Sequence, residues 1–104
     1  MCRQAKGEKV LINEEIHLFL KALASEKRQE IMFLFLDKNE VTVNQVSELV
    51  NISQSTASEQ LTILRKAGLL SSRKAGKEVF YTTDKDSIMM QLQNLNKLLT
   101  DCCK

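Results

Sequence analysis

The sequence predicts a mainly α-helical domain with one small β-hairpin, in the element order ααααββα. Three observations carry this prediction. Apolar residues recur at helical spacing through residues 14–66, a β-branched and aromatic stretch follows a glycine turn within residues 70–83, and helical spacing returns over residues 88–99. With 104 residues, the chain is expected to form a single domain over residues 1–104, with flexible tails at about 1–12 and 101–104.

The composition excludes several broad classes of protein. Hydrophobic residues make up 43% of the chain and charged residues 27%, which is typical of a globular domain. The longest apolar run, Ile31 to Leu36, is too short to span a bilayer, and the N-terminal residues lack the apolar stretch of a secretory signal. We therefore expect a cytoplasmic protein with no membrane partner. We do not expect an enzyme, because the sequence holds no Gly-rich phosphate loop and no evident pairing of a nucleophile with a base.

The first two helices are predicted from their caps and apolar spacing. Asn13 can cap a helix whose inward face holds Ile16, Phe19, Leu20 and Leu23. Ser25 can cap the second helix. The apolar run Ile31 to Leu36 predicts that this second helix is central to the core.

The next two helices have the strongest local signals. Thr42 followed by Gln45 matches a capping box, and the helix after it is expected to turn Val43, Val46, Leu49 and Val50 inward. Ser53 can cap the fourth helix, which Gly68 is expected to end as a left-handed residue. Two short helices joined by a tight connection form the helix-turn-helix pattern.

The start of the fourth helix is rich in small hydrogen-bonding side chains that can approach base edges. A glutamine can bind adenine with two hydrogen bonds, and the helix N-terminus favours phosphate. The alternative is an ordinary polar surface helix. The residues of this helix that we predict to bind DNA are Gln54, Ser55, Thr56, Ser58, Glu59 and Gln60.

A cluster of basic residues follows the helix-turn-helix. Residues 65–77 hold five basic side chains and no acidic one, although the formal net charge of the chain is only +2. In isolation such a cluster is equally consistent with a solvated surface. Its place at the tip of a hairpin beside the helix-turn-helix favours contacts with the phosphate backbone. The predicted contact residues are Arg65, Arg73, Lys74 and Lys77.

Four segments together resemble the ArsR/SmtB family of winged helix-turn-helix repressors: residues 20–28, 49–61, 64–69 and 79–81. The resemblance implies a winged helix-turn-helix fold and a homodimer held by the first and last helices. It also implies repression through a palindromic operator in double-stranded DNA. The family often has two histidines where this chain has Glu59 and Gln60, so the target sequence is not predicted.

The apolar stripes of the first and last helices support a dimer without the resemblance. The last helix carries Ile88, Leu92, Leu95 and Leu99, and the first carries Phe19, Leu20 and Leu23. Together the two stripes hold more apolar side chains than a small four-element core needs. A surplus apolar stripe is typical of an interface. The alternative is that both stripes belong to the core of one chain.

The cysteines are the candidates for inducer sensing. The resemblance implies metal sites that this chain lacks, since Thr42 and Asn44 stand where a Cys-x-Cys pair would be and residues 84–101 contain no histidine. The vicinal pair Cys102 and Cys103 resembles that of arsenic-responsive members, with Cys2 as a candidate third ligand for trivalent arsenic or antimony. The only histidine, His17, is expected to be a surface or packing residue.

The sequence therefore predicts a sequence-specific DNA-binding repressor that needs no cofactor and is derepressed by arsenite or antimonite. Three alternatives stay open: a redox-sensing repressor, a repressor without an inducer, and a winged helix that binds another protein instead of DNA.

Overall fold

A computed structural model describes residues 14–101 of the chain. Five α-helices, a short 3-10 turn and three strands follow one another in this part of the chain. The elements are α1 (Glu14–Leu23), α2 (Glu26–Phe33), the 3-10 turn (Leu34–Leu36), β1 (Val41–Thr42), α3 (Val43–Val50), α4 (Gln54–Lys66), β2 (Leu70–Ala75), β3 (Glu78–Thr83) and α5 (Lys85–Thr100). The predicted helical order and the hairpin are confirmed. The proposed cap Asn13 lies outside the described residues. So do the parts of the two predicted tails that precede residue 14 or follow residue 101.

Three helices begin where their capping side chains predicted. Ser25 accepts a hydrogen bond from the backbone N–H of Arg28, and Ser53 accepts one from Thr56. Thr42 and Gln45 form the reciprocal capping box at the start of α3. Each cap satisfies backbone donors that a helix start leaves unpaired, so the beginnings of α2, α3 and α4 are fixed by local chemistry.

The connections on either side of α4 rely on left-handed residues. Asn51 ends α3 with φ 62° and ψ 54°, a conformation that asparagine tolerates better than most residues. Gly68 has φ 87°, and the N–H of Leu69 donates to the carbonyl of Leu64 while that of Gly68 donates to Arg65. This pair of bonds is the Schellman arrangement, which turns the chain directly from α4 into β2.

The hydrophobic core lies where α1, α3 and α4 pack against the sheet and α2. Its largest fully buried side chains are Phe19, Ile31, Leu61, Leu64, Leu70, Val41 and Val46. Tyr81 from the central strand and Ala57 from α4 are also buried in it. The buried positions of α4 lie on one face, and this leaves the opposite face of the helix free for recognition.

The prediction that the run Ile31 to Leu36 is central to the core holds for Ile31, and Met32, Leu34 and Phe35 are partly buried against the core, but it is wrong for the two remaining residues. Ile31 is fully buried, but Phe33 is 64% exposed and Leu36 82% exposed. The reason is geometric: α2 ends at Phe33 and the 3-10 turn redirects the chain, so the run does not keep one helical face. Leu49, expected to point inward from α3, is also largely exposed.

The sheet has three antiparallel strands in the order β1-β3-β2, one more than the predicted hairpin. Val41 pairs with Tyr81, and Thr42 pairs with Phe80. Strands β2 and β3 meet through a turn at Gly76 and Lys77, and we call this hairpin the wing. A two-residue strand shows no alternation in the sequence, and only its pairing with β3 makes it recognisable.

The last helix lies on the surface of the domain with most of its apolar side chains uncovered. Met89, Met90, Leu92 and Leu99 are all about half exposed or more. The one buried residue of α5 is Gln91, whose side-chain amide donates to Glu15 on α1. Within the described residues, no helix is long and apolar enough to cross a membrane.

Candidate nucleic-acid interface

The N-terminal half of α4 presents four of the predicted DNA-binding side chains on the protein surface: Gln54, Ser55, Ser58 and Glu59 are exposed. They are free to reach base edges because Ala57, Leu61 and Leu64 hold the opposite face of the helix in the core. The first turn of α4 contains no acidic residue, so its positive end can accept a phosphate.

Two other candidates in α4 are turned toward the protein. Thr56 is half-buried, and its hydroxyl accepts a hydrogen bond from the Ser53 hydroxyl at 2.9 Å. Gln60 is half-buried as well, and its side-chain oxygen accepts a bond from the Arg28 guanidinium at 2.7 Å. The structure thus gives both side chains a partner within the chain.

Asn44 is a site residue that the sequence analysis did not select. Its side-chain oxygen accepts a hydrogen bond from the side-chain amide of Gln54, which joins the first turns of α3 and α4. Asn44 is exposed, so its own amide remains available at the same surface. No local signal marked it, because its position beside Gln54 depends on how two helices cross.

A cleft of about 220 Å³ separates these helix starts from the wing. Asn44 and Gln54 line one side, and Lys77, Glu78 and Val79 line the other. The register pairs Lys74 with Val79, and directly paired residues share a face of the hairpin, so Lys74 lies on the face that borders the cleft. The cleft therefore brings Asn44, Gln54 and Lys77 together, and Lys74 lies on the same face of the wing as the cleft residue Val79.

Arg73 lies on the opposite face of the wing and is bound to an acidic residue. Its Nε and Nη2 atoms donate to the two oxygens of Glu40 at 2.8 and 2.9 Å, and its guanidinium lies 4.6 Å from the centre of the Phe80 ring. These hydrogen bonds hold the pKa of the Glu40 carboxyl below its ordinary value against the effect of desolvation, and the Arg73 charge adds to the lowering. Glu40 is thus ionised at neutral pH and competes with phosphate for Arg73.

Arg65 is exposed in the last turn of α4, beside Lys66. It lies about 16 Å along the helix axis from Gln54, at a rise of about 1.5 Å per residue. Basic residues at this end also complement the negative end of the helix dipole. The structure does not place Arg65 with the cluster at the start of α4.

The candidate metal ligands belong to the two ends of the chain. Cys2, Cys102 and Cys103 lie outside the described residues. Within residues 14–101, no three His, Cys, Asp or Glu residues are grouped so that they could hold a metal ion. His17 is exposed on α1.

Replacing Glu40 with glutamine is expected to strengthen binding to every duplex and to steepen the salt dependence of the affinity by about one unit. The change removes the charge that holds Arg73, so the guanidinium becomes available to a phosphate. Fluorescence anisotropy at several salt concentrations measures both quantities.

The matched control is Glu26→Gln, which makes the same change of charge on the exposed surface of α2. An unchanged salt slope in Glu40→Gln, or a weaker affinity, would show that the Glu40–Arg73 pair orients the wing instead of withholding a cation.

The chain is similar in sequence to known bacterial regulators. The model of the family described as bacterial regulatory protein, arsR family, matches residues 25–72. The transcriptional activator HlyU of Vibrio cholerae is 37% identical over 81 residues, which are 78% of this chain and 74% of HlyU. The biofilm growth-associated repressor of Agrobacterium fabrum is 31% identical over 81 residues, which are 78% of this chain and 68% of that repressor.

Solved structures agree with the fold. The structure of HlyU from Vibrio cholerae matches with a TM-score of 0.62 at 36% identity and covers 82% of this chain and 91% of that one. A homodimeric winged helix-turn-helix DNA-binding domain from Mycobacterium bovis matches with a TM-score of 0.69 over 97% of this chain and 91% of that one. At 24% identity, the second match supports the fold alone.

The sequence similarity extends over most of both proteins, and the helix-turn-helix with its wing has the architecture of the solved relatives. On these grounds the chain belongs to the ArsR family of bacterial DNA-binding transcriptional regulators.

Proposed function

We propose that this regulator is a repressor that binds a palindromic operator as a homodimer and reads the sequence with the first turns of α4. The observation that carries the proposal is the cleft between α4 and the wing, which Asn44, Gln54 and Lys77 line, with Lys74 on the same face of the wing as Val79. Side chains able to read bases and cations able to bind phosphates lie side by side there, as binding to a duplex requires.

The proposed homodimer uses the uncovered apolar surface of α5 together with that of α1. Leu99 is 68% exposed, and Leu92 and Leu20 are each close to half exposed, so part of each predicted stripe is not used by the core of one chain. Phe19, by contrast, belongs to that core. The buried side-chain oxygen of Gln91 accepts no hydrogen bond from any described residue, which leaves an acceptor beside this surface for a donor from elsewhere.

Repression is the direction of control that we propose, since a dimer bound across a promoter blocks it without any further partner. The printed names of the relatives include both an activator and a repressor. The direction of control is tested with a reporter gene placed under the promoter of the gene that encodes this chain. Expression of the reporter should rise when that gene is deleted.

The base-reading role of Gln54 is tested by Gln54→Ala. The variant should lose about 1–3 kcal/mol of binding free energy on the cognate operator and should discriminate less between operators at one base position. Lys74→Ala should instead weaken binding to all duplexes alike and flatten the salt dependence by about one unit. Anisotropy titrations with the operator and a scrambled duplex measure both effects.

Lys85→Ala is the matched control for Lys74→Ala, since Lys85 is exposed at the start of α5, at the end of the wing away from the tip. It removes the same charge and should leave the affinity nearly unchanged. If Gln54→Ala and Lys74→Ala acted alike on both duplexes, the separation of base and phosphate contacts would be wrong.

We further propose that trivalent arsenic or antimony is the inducer and that Cys102 and Cys103 bind it, with Cys2 as a third ligand. Thiolates are the preferred ligands of soft acceptors, and the pair follows α5 directly in the sequence. Because α5 carries the proposed dimer surface, a ligand at its end can favour one dimer arrangement over another.

Arsenite added to the reduced protein on its own upstream DNA should release the DNA at nearly stoichiometric amounts. Cys102→Ser should abolish the release while leaving the affinity of the inducer-free protein unchanged. Fluorescence anisotropy follows both. Binding that ignores arsenite would contradict the proposed inducer while leaving DNA binding intact.

Redox sensing by the same cysteines is the second candidate, because the sulfur atoms of adjacent thiols can be oxidised reversibly. It predicts release by peroxide or polysulfide and recovery with dithiothreitol, with arsenite having no effect on the reduced protein.

A further inference from the structure

A cavity lies on the side of α4 that faces the other helices, in the seam between α1, α2 and α4. Its volume is about 280 Å³, which is near the lower end of the range for small-molecule sites. Its wall is apolar where Leu18 and Ala22 of α1 face Ile63 and Ala67 of α4. It is separate from the cleft at the wing, and no part of the DNA-binding proposal uses it.

The same cavity is positively charged at its edge. Lys21, Arg28 and Lys66 line it, and none of the seven described residues around it is acidic. Among residues 14–101, the ion pairs are Lys27–Glu30, Lys38–Asp37 and Arg73–Glu40, so none of the three cations is neutralised by a carboxylate there. An apolar cavity edged by three unpaired cations has the chemistry of a site for an anion with an apolar body.

Arg28 is held in place by neutral acceptors. Its Nε donates to the carbonyl of Ala22 at 2.9 Å, one Nη to Gln60 at 2.7 Å and the other to the carbonyl of Lys21 at 3.4 Å. These bonds fix the guanidinium but leave its charge uncompensated, and they leave N–H donors over for a further partner. The carboxyl end of α1 and the middle of α4 are thus joined through one cation.

We propose that this cavity binds a small organic carboxylate with an apolar body, such as a medium-chain or aromatic acid, as an effector. The apolar part lies against Leu18, Ile63 and Ala67, and the carboxylate lies at the edge between Lys21, Lys66 and Arg28. The fixed guanidinium suits a planar carboxylate, which accepts two parallel hydrogen bonds.

The site would act on α4 directly, a step that rests on the proposed binding of DNA. A carboxylate that accepts from the remaining N–H groups of Arg28 draws the guanidinium toward itself, so the hydrogen bond to the side-chain oxygen of Gln60, which fixes the middle of α4, weakens. Since Ile63, Lys66 and Ala67 of the cavity also belong to α4, a bound acid changes the position of the helix that carries Gln54. We expect a lower affinity for DNA when the acid is bound.

Binding is tested on the reduced full chain without DNA, by ¹H–¹⁵N NMR titration with octanoate. We expect saturable shifts of the amides of Lys21, Ala22, Ile63, Lys66 and Ala67. The affinity for 1-octanol should be at least about tenfold weaker than that for octanoate, because the alcohol lacks the charge.

The double variant Lys21→Gln/Lys66→Gln should bind octanoate at least about tenfold more weakly than the unaltered chain does. Both lysines are exposed, so the fold should persist. Lys85→Gln, with the same type of charge change at a distant exposed site, should bind octanoate as the unaltered chain does.

Shifts confined to the exposed leucines of α5, or equal binding of octanoate and 1-octanol, would overturn the site.

The coupling between the cavity and DNA binding is tested separately by anisotropy. Saturating octanoate should lower the affinity for DNA about fivefold or more, and the double variant should lose this effect. Octanoate that binds at the seam without changing the affinity for DNA would overturn the coupling alone. Failure of the free protein to bind any duplex would overturn the proposed function but leave the NMR result standing.

Discussion

Replacing Phe19 with alanine should lower the free energy of unfolding by about 3–5 kcal/mol. Phe19 is 1% exposed on α1 and belongs to the core that α1 forms with α4 and the sheet. The truncation removes a large apolar surface from the core and leaves a cavity that the surrounding helices cannot fill. Urea denaturation followed by circular dichroism measures the loss, at one fixed protein concentration because a dimer's stability depends on it.

Phe33→Ala is the matched control, since it makes the same truncation at the end of α2, where the ring is 64% exposed. It should change the free energy of unfolding by less than about 1 kcal/mol. The pair decides between two accounts of the apolar run after residue 31. Equal losses in the two variants would mean that the Phe33 ring is buried as the apolar run suggests.

Gly68→Ala should also destabilise the domain strongly, by a cost with two sources. The first is the left-handed backbone at φ 87°, worth about 1–2 kcal/mol for a residue with a side chain. The second is crowding, because a Cβ built at this position lies 2.6 Å from the hydroxyl oxygen of Ser87 on α5. Overpacking of this kind adds about 1–3 kcal/mol.

Gly76→Ala and a second substitution at Ser87 separate the two sources. Gly76 has φ 64° at the turn of the wing with nothing within 4 Å of the added Cβ, so Gly76→Ala should show the backbone cost alone. Adding Ser87→Ala to Gly68→Ala removes the crowding oxygen and should recover the remainder. Thermal or urea unfolding of the unaltered chain, Gly68→Ala, Ser87→Ala and the double variant forms a double-mutant cycle. Equal costs for Gly68→Ala and Gly76→Ala would show that the Ser87 hydroxyl moves aside freely.

The parts of the fold that were predictable are those with a local cause. Ser25, Thr42 and Ser53 begin helices because each side chain binds a backbone N–H within the same helical turn. Gly68 ends α4 for an equally local reason. Signals of this kind stand within a few residues in the sequence, and so they can be recognised before any tertiary structure is known.

The parts of the site that were not predictable depend on residues far apart in the chain. Glu40 and Arg73 are 33 residues apart, and Arg28 and Gln60 are 32 apart. Arg73 and Gln60 are predicted from the sequence to be open to DNA, but nothing near either residue in the sequence indicates its partner. Asn44 was missed for the same reason, since its place beside Gln54 follows from the angle at which α3 and α4 cross.

The pairing of β1 with β3 has a mechanical consequence for DNA recognition. Thr42 pairs with Phe80 of the wing and also caps α3, so a single residue joins the wing to the helix-turn-helix. The wing cannot swing away without loosening the start of α3, so we expect the wing and the helix-turn-helix, the two parts proposed to bind DNA, to move together. In a dimer of such subunits, the adjustable quantity is the separation of the two subunits. For the proposed dimer, discrimination between operators that differ in half-site spacing is then expected to depend on the residues where the subunits meet.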